Sequence, residues 1–307
     1  MRCPLRMPSA GRDAPSPSQG GNGHYGDVVL HETVSDLSDL SEMLEGLQAR
    51  TPQMRWSICI ERDGERVAAL RPDSVLATAS LGKVFLLGEV SRGLREGTLD
   101  SGLLLKPVHE DQVFDSGLWQ FFDSVDLSVE ALAILVAAVS DNLATNVLLR
   151  HVGLASVQRL SESLAMPHTR MLDRIRDARG PQDPAAPSAG SASDYARFMR
   201  LVSSGQVVDE EVSSILRAWL ATGVDLSMFA EAWCLDPLAH RVNPWNFFNK
   251  TGFDQGVRAD AGAFSHGGRE WSYAVICNWE ASGTELDLRA MREIRGIGAA
   301  TRAVACA

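Results

Sequence analysis

A serine three residues before a lysine, as in Ser80-Leu81-Gly82-Lys83, puts a hydroxyl nucleophile one helical turn from a candidate base. A serine hydroxyl needs such a base within hydrogen-bond reach. A lysine can serve only if its pKa falls, and burial and a second nearby cation both lower it. Lys250, in Lys250-Thr251-Gly252, is the candidate second cation. A third pattern, Ser140-Asp141-Asn142, follows the first serine by 60 residues. It offers another hydroxyl and an amide. Together these residues could support nucleophilic catalysis by a serine.

The surrounding elements must bring the three patterns together. Apolar periodicity predicts a helix over Asp36 to Arg50, a strand over Trp56 to Ile60, a turn at Asp63-Gly64 and a returning strand over Glu65 to Leu70. Helices follow at Leu81 to Ser91, Val129 to Val139 with Ser128 as N-cap, Asn142 to His151, Ser193 to Ser204 and Glu210 to Thr222. A proline-rich loop runs from about Met166 to Gly190, long enough to suggest a functional loop. Strands return at Asn246 to Thr251, Ala259 to Ser265 and Trp271 to Trp279, and Leu286 to Ala300 closes the chain as a helix. His266-Gly267-Gly268 reads as a hairpin turn. The expected class is α/β: an antiparallel sheet flanked by helices and formed from both chain ends, about 28–79 and 223–307. An all-α part, about 80–222, is inserted between them. Residues 1–27, rich in Pro, Ser and Gly, read as a disordered tail.

The chain has 307 residues, 29 basic and 39 acidic, for a net charge of −10, which gives nucleic acid no electrostatic footprint. Five cysteines without CxxC spacing argue against a zinc site or a disulfide scaffold. Seven histidines show no HxH or HExxH pattern, so neither metal nor cofactor is expected. No apolar run reaches the ~20 residues of a membrane span, and the N-terminus lacks the apolar block of a secretory signal. A cytoplasmic protein acting on a small molecule is expected, with neither nucleic acid nor membrane as partner. No GxSxG is present to suggest an α/β-hydrolase.

The set S-x-x-K, S-D-N and K-T-G, in this order, resembles the serine β-lactamase and penicillin-binding-protein family, closest to its class A group. The resemblance runs from about Ser35 to Gly296. It implies that Ser80 is acylated, that Lys83 activates it directly or through water, and that Ser140 shuttles a proton to the leaving group. It also implies that Asn142 orients Lys83 and the substrate amide. Lys250, Thr251, Gly252 and Arg258 fall where the family binds the substrate carboxylate. The backbone N–H groups of Ser80 and Phe253 would form the oxyanion hole, each worth ~3–4 kcal/mol. Trp119 falls where the family walls its cleft.

One departure matters. The family's deacylating glutamate should come two residues after Arg174, where this chain has Arg176, followed by Asp177. The deacylation base is therefore missing, moved to Asp177, or replaced by another group. The resemblance implies hydrolysis of a β-lactam or related cyclic amide or ester through a Ser80 acyl-enzyme. The departure leaves two alternatives: an esterase or biosynthetic hydrolase, or a non-hydrolytic β-lactam sensor.

Overall fold

Asp36 ends the extended entry to the first helix, its carboxylate accepting from the backbone N–H of Ser38 and Asp39. That helix, α1 (Leu37–Arg50), leads into the hairpin β1 (Met54–Arg62) and β2 (Glu65–Leu70). Asp63 and Gly64 both have positive φ at its turn, as the sequence predicts. A computed structural model describes residues 34–123, 125–238, 243–280 and 284–307. The tail expected over 1–27 lies outside the described residues.

After β3 (Leu76–Ala77), the chain makes a 3-10 turn at Ala79–Gly82 and enters α2 (Lys83–Glu96). The helix expected from Leu81 is thus 3-10 at its start and continues to Glu96. The short pair β4 (Leu104–Leu105) and β5 (Leu127–Ser128) precedes α3 (Val129–Val139), α4 (Asn142–Val152) and α5 (Leu154–Ser163). Ser128 caps α3 as expected, accepting from Ala131 N. The loop expected over 166–190 contains two short strands, β6 (Arg170–Met171) and β7 (Ser188–Gly190), which pair with each other. Then come α6 (Ala192–Ser203), α7 (Glu210–Leu220), β8 (Phe248–Asp254), β9 (Val257–His266), β10 (Arg269–Trp279) and α8 (Thr284–Cys306).

The main sheet, ordered β2-β1-β10-β9-β8, is antiparallel throughout and joins both ends of the described chain. Alternate residues feed two cores. On one face Trp56, Ile58, Ile60, Tyr273 and Val275 pack with Leu40 and Leu44 of α1 and Ile294 and Ile297 of α8. On the other, Cys59, Ala261, Ala274 and Ile276 join the core of the helical part. Helix α2 is buried on every side from Lys83 to Ser91, the pattern of a central helix. Its burial takes Lys83 out of water. Among the described residues, no helix is long and apolar enough to cross a membrane.

Candidate active site

The turn carrying Ser80 is built against its backbone preference. Ala79 has φ +47, a left-handed conformation that costs a non-glycine residue of order 1 kcal/mol or more. Ser188 of β7 holds it there, donating to Ala79 O at 2.5 Å. Ser188 in turn shares a buried network with Thr78 and the Tyr195 hydroxyl. Gly82 permits this approach, since a Cβ there would lie 2.3 Å from Ser188 Cβ. Ser80 thereby faces a cleft of ≈ 640 Å³ between the sheet and the helical part.

Lys83 is 1% exposed. Its ammonium donates to Ser140 O at 2.7 Å, Ser140 Oγ at 3.2 Å and Asn142 Oδ1 at 2.7 Å. Burial, then the charge of Lys250, push its pKa well below the usual lysine value, against opposing pulls from Asp141 and Asp115. Ser140 presents its carbonyl to Lys83 from a left-handed residue, φ +57, that ends α3. Asp141 caps α4 through Ala144 N and also accepts from Leu118 N and Trp119 N. Asn142 donates to Phe114 O and, through its backbone, to Ser116 O. The Ser-Asp-Asn pattern therefore also fastens the 114–119 loop over the site.

Lys250, buried on β8, donates to Thr251 O at 2.9 Å, and burial lowers its pKa to about 8. Gly252 lets edge strand β8 lie against the serine turn. A Cβ there would sit 2.3 Å from Thr78 O and 3.1 Å from Leu81 N, both backbone atoms. Gly252→Ala is therefore expected to cost about 1–3 kcal/mol and to slow Ser80 acylation. Thermal melts and the rate of adduct formation check both.

The structure brings Ser80, Ser140, Asn142, Lys250, Thr251, Phe253 and Arg258 onto one cleft, with Lys83 buried behind it. Trp119 is 2% exposed, sits in the core and donates its indole N–H to Val125 O. Phe114, 62% exposed, lines the cleft instead. Arg258 is turned to Asp287 at 2.6 Å and lies 3.6 Å from the Phe253 ring centroid.

The long loop contributes cations. Arg176 pairs with Asp173 at 2.6 Å and Asp183 at 3.3 Å, and Arg179 with Asp173 at 2.9 Å. Asp177 lines the cleft, with Oδ1 accepting from Phe114 N. Asn146 pins the loop to α4 by exchanging two hydrogen bonds with the Ile175 backbone. The sequence reading missed Asn146 and Asp225. Asp225 accepts from Thr251 Oγ1 at 2.7 Å. Among the described residues, no cluster of His, Cys, Asp and Glu could hold a metal.

The fold has counterparts among solved structures. A β-lactamase from Sphaerobacter thermophilus shares 21% identity over 85% of this chain and 96% of its own, with a TM-score of 0.74. A class A β-lactamase from Mycobacterium abscessus shares 18% over 87% and 100%, TM-score 0.73. A PBP-A mutant, described as an acyl-enzyme complex with penicillin G, shares 18% over 87% and 96%, TM-score 0.72. No curated protein matches significantly. The model of the β-lactamase enzyme family matches residues 38–304. Nearly the whole described chain thus carries that family's pattern, and the protein belongs to the β-lactamase enzyme family.

Proposed function

We propose that the protein is a serine hydrolase that opens a β-lactam, or a related cyclic amide or ester, through an acyl-enzyme on Ser80. The observation that carries this reading is Lys83: buried, gripped by Ser140 and Asn142, one turn from Ser80, and held well below the usual lysine pKa. In its neutral form Lys83 takes the Ser80 proton, directly or through one water. Ser80 Oγ then bonds to the carbonyl carbon while the C–N or C–O bond breaks. Ser140, hydrogen-bonded to Lys83, returns a proton to the leaving atom. The N–H groups of Ser80 and Phe253 receive the oxyanion.

Deacylation is the slow step in this reading. Arg176 stands where the family's glutamate would be, and its guanidinium is engaged by Asp173 and Asp183. That same observation favours a second reading, a covalent sensor whose adduct persists. The test is hydrolysis of a chromogenic ester by wild type and Ser80→Ala. A Ser80-dependent rate supports the proposal, and equal rates in two folded proteins contradict it.

A further inference from the structure

We infer that the cleft selects an uncharged, apolar ester or amide, because Asp225 occupies the place where a substrate carboxylate would be held. The inference rests on the acyl-enzyme reading above and narrows its substrate class. Thr251 Oγ1, the hydroxyl of the Lys-Thr-Gly pattern, already donates to Asp225 Oδ2 at 2.7 Å. The other oxygen, Oδ1, accepts from Ser227 Oγ at 2.7 Å and Ser227 N at 3.2 Å. Asn249 fixes the backbone by donating to Asp225 O. Burial raises the Asp225 pKa, but the hydrogen bonds from Ser227 and Thr251 and the charge of Lys250 outweigh it and leave the group below its ordinary value. It is a fixed anion beside the lysine.

The arginines on the cleft wall are ion-paired. Arg258 is held by Asp287 and stacked on Phe253, and Arg176 and Arg179 by Asp173. Three further carboxylates, Asp115, Asp177 and Asp254, lie on the cleft wall. An incoming carboxylate would meet Asp225 as a like charge and find its hydrogen-bond donor taken. The rim instead offers two phenylalanines, Phe114 at 62% and Phe253 at 59% exposure. Such a surface suits an apolar group.

The test compares benzylpenicillin with its methyl ester, which removes only the carboxylate charge. Ser80 labelling is followed by intact mass in wild type, Asp225→Val and Asp225→Asn. In wild type the methyl ester should label Ser80 at least tenfold faster than the acid. Asp225→Val should reverse or erase that preference, mainly by tightening binding of the acid. Asp225→Asn keeps acceptor capacity for Thr251 and serves where the valine variant does not fold. Faster labelling by the acid in wild type, or an unchanged ratio in a folded Asp225 variant, overturns the inference and leaves the acyl-enzyme reading standing. Neither a Ser80 adduct nor ring-opened product from either probe, in folded protein, removes the β-lactam reading and the inference with it.

Discussion

Lys83→Met will slow acylation of Ser80 by on the order of 10²–10⁴-fold and will leave the melting temperature unchanged or raised. Both halves follow from one fact. Lys83 is buried inside the helical core and beside a second lysine, so the fold disfavours its charge. A depressed lysine is a usable base near neutral pH. It is also a source of instability. The unfolded chain binds protons at Lys83 and Lys250 that the folded chain resists, so stability rises with pH while the unfolded state holds more protons. For Lys250 that window runs from about 8 to the ordinary lysine value of 10.5. Methionine has similar length and no charge, so it removes the cost together with the base. Lys250→Met should be slowed at neutral pH for a different reason. Without its charge Lys83 regains part of its basicity, and the acidic limb of the acylation rate moves to higher pH. Rate–pH profiles and melts on the two variants separate these roles.

Arg176→Glu will shorten the lifetime of the Ser80 adduct by about 10²-fold, the scale of one positioned general base. Arg176 sits on the cleft wall but spends its charge on Asp173 and Asp183. A glutamate there would be repelled by both, and the open direction is the cleft. Arg176→Ala is the control, because it breaks the same ion pairs without supplying a base and should not speed decay. Adduct decay after removal of excess acylating agent measures the effect. Equal decay in wild type and Arg176→Glu would show that another group already deacylates, with Asp177 next to be replaced.

The features legible in the sequence were those set by local rules. Ser128 caps a helix where a side-chain acceptor precedes apolar periodicity, and Asp63-Gly64 turns a hairpin. The three motifs marked the cleft because each is a short run on one element. Helix α5 was missed: it starts directly after Gly153, and only Val157, Leu160 and Ser161 are buried on it. Asp225 was invisible for another reason. It meets Thr251 across 26 residues, and only the docking of the segment after α7 on β8 brings them together. Asn146 likewise acts on a loop 29 residues away. Trp119 was ambiguous in the sequence because its neighbours are apolar enough for either wall or core. The strain at Ala79 has no sequence signature, since nothing in an alanine announces a positive φ.

The most direct measurement is the intact mass of wild type and Ser80→Ala after incubation with benzylpenicillin methyl ester, followed by peptide mapping. A mass increase equal to the whole probe, mapped to Ser80 in wild type and absent from the variant, is the predicted result. Unmodified wild type that is folded and releases no ring-opened product, or equal labelling of Ser80→Ala, would contradict the account.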